Sequence, residues 1–532
     1  MGIPLLTRIT SKSKPLAALL IVSLWLTPVW SQVPSTTQGL PSLGDGADIT
    51  LSAERKLGDR IARELYRDPD YLEDPVLDEY LQEIWLPLVK SAQARGELSP
   101  ELQERFAWKI LIGRDRSVNA FALPGGYLGI HLGLISVVNT RDELASVMAH
   151  ELSHVTQRHI SRSMGDQARM APWLMGAMLL GILAAGKSVQ GAQAMIVGGQ
   201  AVAAQTQLNF SRDMEREADR IGYGVMAEAG FDTQGFVSMF GKLQQASSLN
   251  DNGGFPYLRS HPLSTERMAD MQSRQQLQTP KPPNIDMDLI QAMMSSRARV
   301  LALPGVDVMR AWAKEASDAN LEQMSLTKRM GILYGGFMSL VQLRDFAKAK
   351  EMLPRLQIAA GQHAPALRQL KLLEADLAFK EDDFRGVINA LSGTANLAHS
   401  SWPRAELIYL AQASARLQVS KPAPDTALLL THASSALQTF VLSNLQDAQA
   451  WQVLATALAT QGRPLASLRA EGEAQLARMD VGAAVDRFRA AQDAARKALP
   501  QNSDHIEASI IDARLRFAQG LLKEQLLERQ ER

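Results

Sequence analysis

The chain has 532 residues, 46% of them hydrophobic, so it can bury more than one core and is not a disordered protein. Basic and acidic residues both number 56, with no long basic tract, which argues against nucleic acid as a partner. Cysteine is absent, which removes any disulfide and any lipid-attachment cysteine.

Residues 1–31 read as a signal peptide. Arg8, Lys12 and Lys14 precede an apolar run over 15–26, and Val29, Trp30 and Ser31 fit a cleavage site before Gln32. The run is short for a spanning helix, so a cleaved signal is favoured over an uncleaved anchor. Residues 32–46, rich in Ser, Thr, Pro and Gly, read as a flexible leader. From residue 51 to about 89 two amphipathic helices are expected, with a turn around Asp68, Pro69 and Asp70. Residues 106–112 alternate and then run apolar, as a strand does. A second strand or hairpin arm spans 120–130, interrupted by Pro124, Gly125 and Gly126. Two readings stay open for it: an ordinary tight hairpin, or an open edge that takes an extended substrate backbone by strand addition. His131 closes the segment and is expected at the surface or behind a ligand.

Thr140, Asp142 and Glu143 then mark a helix start, and Leu144, Val147, Met148 and Leu152 give that helix an apolar stripe. It carries His150-Glu151-Leu152-Ser153-His154, an HExxH motif. Histidines four apart share one helical face, so both imidazoles can point at one ion. The glutamate beside the first can take a proton from water held there. His159, five residues on and flanked by Arg158 and Arg162, is expected at the surface. Next comes an apolar, Ala- and Gly-rich insert over 171–204. It reads as a buried helical hairpin, with a hydrophobic arm meeting membrane as the alternative.

Residues 211–220 again read as helix. Glu215 and Asp219 are four apart on one face, placed to bind the ion and to accept the free N–H of a ligating histidine. Asp213 and Glu217 form a competing pair on another face. His261 lies in a loop before a helix capped by Ser264, with Arg267 following. It is a candidate fourth ligand or oxyanion stabiliser. Pro280, Pro282 and Pro283 mark a linker over 277–304. Beyond it, Ala-, Leu- and Gln-rich helices suggest an irregular helical array, with Phe346 and Phe384 spaced 38 apart.

The HExxH helix, followed 61 residues later by Glu215-x-x-Ala218-Asp219, resembles the zinc peptidases typified by HtpX and the CAAX-processing Ste-type proteases. Asn119 to Gly126 before the helix, and His261-Pro262 with Arg267 after it, belong to the same resemblance. A leader in front and helical repeats behind resemble most the periplasmic members that act in outer-membrane assembly. The resemblance covers roughly residues 45–290, and the rest only by architecture. The expected fold is α+β and predominantly helical. It comprises a zincin-like catalytic domain with a small sheet over 47–276, an all-α tetratricopeptide-like solenoid over 305–500, and a C-terminal helix over 501–532. The resemblance implies a secreted zinc endopeptidase with one Zn2+ per chain, held by His150, His154 and Glu215. Glu151 is then general base and proton shuttle, and Asp219 stands behind the ligands. The implied partners are unfolded or assembling outer-membrane proteins and their assembly machinery, met through the repeat domain, with peripheral membrane contact as an option and no nucleic acid. The other reading is a chaperone or assembly factor in which binding dominates and proteolysis is secondary.

Overall fold

A computed structural model describes residues 49–165, 211–248, 254–277, 279, 281–282, 284–392, 402–497 and 504–530. The expected signal peptide, leader and apolar insert lie outside these residues. From Ala47 onward the chain is one compact unit. It opens with α1 (Leu51–Arg67), α2 (Pro75–Ala94) and the short α3 (Pro100–Arg105). A small sheet follows, of β1 (Lys109–Gly113), β2 (Ala120–Leu123) and β3 (Tyr127–His131). Next come α4 (Leu132–Val137), α5 (Arg141–Thr156) and α6 (His159–Gly165). The helical part continues with α7 (Arg212–Glu228), α8 (Gln234–Ser248), α9 (Tyr257–Ser260), α10 (Thr265–Gln275) and α11 (Ile285–Leu301).

The sheet order is β1-β3-β2, with β1 parallel and β2 antiparallel to β3. The first strand starts later than alternation suggests, because Trp108 turns left-handed at φ 50° and its neighbours bond the tight turn: Ala107 N–H donates to Gly125 O and Lys109 N–H to Gly126 O. Gly125 and Gly126 hold φ of 73° and 86°, which side chains resist, so β2 and β3 close as a tight hairpin. Among the described residues the hairpin also leaves β2 as the edge strand beside α5. The two open readings of this segment are therefore compatible.

α5 runs through the core, with every residue from Glu143 to Thr156 buried. Thr140 caps it by accepting the Glu143 N–H, as the sequence predicts. α7 packs against it closely: a Cβ on Gly222 would stand 3.0 Å from Ala149 O. That approach brings the acids of one helix to the histidines of the other.

The segment expected as a linker, 277–304, instead holds the buried helix α11. Asn284 caps it, and Leu289, Met293, Met294 and Val300 face the core. The prolines at 280–283 precede this helix in the sequence. Its Arg297, almost fully buried, donates to both carboxylate oxygens of Asp74 at 2.9 and 2.7 Å and to Asp376 at 2.6 Å. Asp74 caps α2 and Asp376 lies on the helix Ala364–Lys380, so one guanidinium ties the catalytic region to the helices behind it. Removing one partner of a buried ion cluster leaves charges that nothing screens. Arg297→Ala should cost about 3–5 kcal/mol in denaturant unfolding of the full chain.

Beyond α11 lies an array of helices from Val306–Glu315 to His505–Gln530; Arg344, Asp382 and Met479 take left-handed φ near 60° in turns between consecutive helices. Phe346 and Phe384 each begin a helix, which accounts for their spacing. Trp451, Leu454 and Ala455 are buried on one later helix, and Ala484, Phe488 and Ala491 on another. Among the described residues, no helix is long and apolar enough to cross a membrane.

Candidate metal centre

One turn of α5 places His150 and His154 on its inner face with their Nε2 atoms 3.0 Å apart. α7 brings Glu215 to them, Oε1 at 3.4 Å from His154 Nε2 and Oε2 at 3.5 Å from His150 Nε2. The loop after α9 supplies His261, whose Nδ1 lies 3.3 Å from His150 Nε2 and 3.0 Å from Glu215 Oε1. One atom from each of these four buried residues falls within 4.8 Å of all the others.

The surroundings hold these groups in place. His150 donates Nδ1–H to Asp219 Oδ1 at 2.9 Å, which leaves Nε2 as the nitrogen that faces the cluster and can bind an ion. Arg267 grips Asp219 through two hydrogen bonds of 2.6 and 2.8 Å, and its Nη1 stands 2.8 Å from Glu215 Oε2. The Tyr257 ring stacks on His261 at 4.6 Å between centroids, and the His261 N–H donates to Tyr257 O. The start of α9 is tied to the segment before β2, where Val118 N–H donates to Gly254 O and Tyr257 N–H donates to Val118 O.

Burial alone would lower the His150 imidazole, but Asp219 and Glu215 raise it to about 10. Burial would likewise raise Glu215, yet His261, His150 and His154 hold it well below the usual carboxylate range. His154 is pushed well down by burial and by His150 beside it. The pocket therefore draws positive charge towards two carboxylates. Glu215 Oε2 and Glu151 Oε1 are buried and accept no hydrogen bond. Two imidazoles, a carboxylate and a further imidazole fit a divalent ion of borderline softness, zinc above all.

Glu151 sits beside this cluster, fully buried. Its Oε2 accepts the Ala122 N–H from the open edge of β2 at 2.8 Å, and its Oε1 lies 3.4 Å from His261 Nε2. An acid is thus held between a strand edge and the donor atoms.

Asp213 pairs with Arg216, away from the site. His131 bonds Ser117 and packs edge-on to Phe121, outside the donor set. The expectation for His159 was wrong: it is fully buried, its Nδ1 2.9 Å from His154 Nδ1 and its Nε2 3.1 Å from Glu217 Oε2. α5 ends at Thr156 and Arg158 turns left-handed at φ 52°, so α6 folds back and a helical count of five no longer points outward. Arginines on either side made the position look solvated. Arg158 spends its charge on the buried Glu54 instead.

The pattern of Peptidase family M48 matches residues 75–275, a span that contains every residue of this centre. The chain is 30% identical to the beta-barrel assembly-enhancing protease of Escherichia coli (strain K12) over 479 residues, 88% of this chain and 90% of that one. A Vibrio cholerae relative of the same description is 34% identical over 324 residues, 60% of this chain and 63% of its own length. The mitochondrial metalloendopeptidase OMA1 of Saccharomyces cerevisiae is 28% identical over 196 residues, 36% of this chain and 54% of that one.

Proposed function

The chain belongs to peptidase family M48, and on that footing we propose that it is a periplasmic zinc endopeptidase acting on outer-membrane proteins that misfold or stall during assembly. The observation that carries the catalytic part is the buried set of four donor atoms with Glu151 at its rim. His150, His154 and Glu215 would hold one zinc ion, which when bound supplies a Lewis acid to water and to the scissile carbonyl. Glu151 accepts the proton of the attacking water and returns it to the departing amine. The edge of β2 is placed to align an extended peptide, and its Ala122 N–H is held by Glu151 Oε2. Asp219, held by Arg267, keeps His150 in the tautomer whose Nε2 can bind.

The compartment rests on the signal-peptide pattern of residues 1–31, and the substrate class on the likeness to beta-barrel assembly-enhancing proteases. A second reading, an assembly factor in which binding dominates, is favoured by a cleft of about 750 Å3 between α1 and the last helices. Arg55 and Arg63 line it on one side, Leu445, Trp451 and Phe517 on the other. A cleft of that size with apolar and cationic walls suits a segment of an unfolded chain. Zinc analysis and a proteolysis assay on the purified chain test the catalytic reading: a preparation that neither binds zinc nor cleaves unfolded polypeptide would overturn it.

His261 offers a fourth ligand atom where a peptidase needs room for water and substrate, so it restrains the site at rest. His261→Ala should therefore raise cleavage, self-cleavage included, with zinc still near one per chain. A loss of about 10²–10³-fold would instead assign it to oxyanion stabilisation. Rates and metal content both unchanged would set it apart from the chemistry.

A further inference from the structure

His154 is supported from behind by a pair of side chains whose placement is not needed for packing alone. Glu217 Oε2 lies 3.1 Å from His159 Nε2 and 2.9 Å from Arg162 Nη1. A carboxylate beside an arginine only accepts, so His159 carries its proton on Nε2. A neutral imidazole holds one proton, and His159 Nδ1 must then accept. Its partner at 2.9 Å is His154 Nδ1, which therefore carries the N–H. The His154 Nε2 lone pair is thereby turned into the donor set, 3.0 Å from His150 Nε2. His150 keeps its Nδ1–H on Asp219, so Nε2 is the nitrogen it can give to an ion. Two ring nitrogens converging at that distance share a proton and become a ligand pair when a cation takes its place.

We propose that His159 and Glu217 are positioning residues that fix His154 in its metal-binding tautomer, as Asp219 does for His150. The difference is one of reach. Asp219 touches its histidine directly, whereas Glu217, two residues after Glu215 on α7, acts through an inserted imidazole supplied by the folded-back α6. The fold-back at Arg158 is what puts that imidazole in place. Histidine ligands commonly donate their second N–H to a carboxylate or carbonyl, and losing such a partner costs about 10–100-fold in metal affinity.

The inference rests on reading His150, His154 and Glu215 as zinc ligands, and the test separates the two. Zinc affinity of the full chain is measured by competition with a chromophoric chelator, alongside thermal unfolding of the metal-free protein. His159→Leu, which fills the space but accepts nothing, should weaken zinc by about 10–100-fold. His159→Asn places Oδ1 where the imidazole Nδ1 stood and should restore affinity to within about threefold of wild type. Glu217→Ala, a change at a partly exposed side chain, should weaken zinc by about 10-fold with the fold intact, and it decides the matter if His159→Leu does not fold. A purely structural role predicts that Asn and Leu at 159 fall alike. That result, or affinities within twofold of wild type in both His159→Leu and Glu217→Ala, would overturn the proposal. A wild-type chain that fails to bind zinc would overturn the reading of the ligands instead.

Discussion

Glu151→Gln is expected to lower peptide-bond hydrolysis by about 10²–10⁴-fold while zinc content and fold stay as in wild type. Glutamine keeps the size of the side chain, and its carbonyl oxygen can still accept the Ala122 N–H from β2. What it lacks is a basic oxygen. In the wild-type chain Glu151 Oε1 is buried, accepts no hydrogen bond and faces the cluster, so it is the atom free to take a proton. Cleavage assays on an unfolded polypeptide, with zinc measured on the same preparations, check this. Undiminished cleavage by clean Glu151→Gln protein would remove Glu151 from the chemistry. The same variant also distinguishes the two functional readings. If it supports assembly of outer-membrane proteins as well as wild type does, the helical array and its cleft do the principal work.

The centre was legible because its chemistry repeats at helical spacing. His150 and His154 at four residues, and Glu215 and Asp219 at four, need only the α-helical period to be placed on two faces. What joins those faces is not periodic. Gly222 allows α7 to approach α5, and the start of α9, the short helix before His261, is fastened to the segment before β2; neither leaves a pattern in a single sequence. His159 was misread because one left-handed residue, Arg158, breaks the period on which the expectation depended. The same weakness hid α11. A proline-rich run dominated residues 277–304, although Leu289, Met293 and Val300 give an apolar face to the stretch behind it. The Arg297 cluster shows the consequence, since a segment taken for a tether carries the ion pairs that bind α2 to the helices behind.

Glu215→Ala should all but empty the metal centre, with a loss of zinc affinity beyond the about 10–100-fold expected for Asp219→Ala. Glu215 gives the donor set its carboxylate oxygens, close to both His150 and His154. It also lies 2.8 Å from the buried Arg267 guanidinium. Without Glu215 that cation keeps Asp219 as its one carboxylate among the described residues, and the balance of charge around the site turns against a divalent ion. Asp219→Ala, by contrast, removes no ligand atom. It frees His150 to take either tautomer and leaves Arg267 a carboxylate at Glu215. Zinc per chain after dialysis against a chelator, with unfolding midpoints to separate loss of metal from loss of fold, should therefore rank Glu215→Ala as the emptiest, then Asp219→Ala, then Glu217→Ala. A Glu217→Ala protein that is empty beside a Glu215→Ala protein that is full would mean that the ligand comes from the other face of α7.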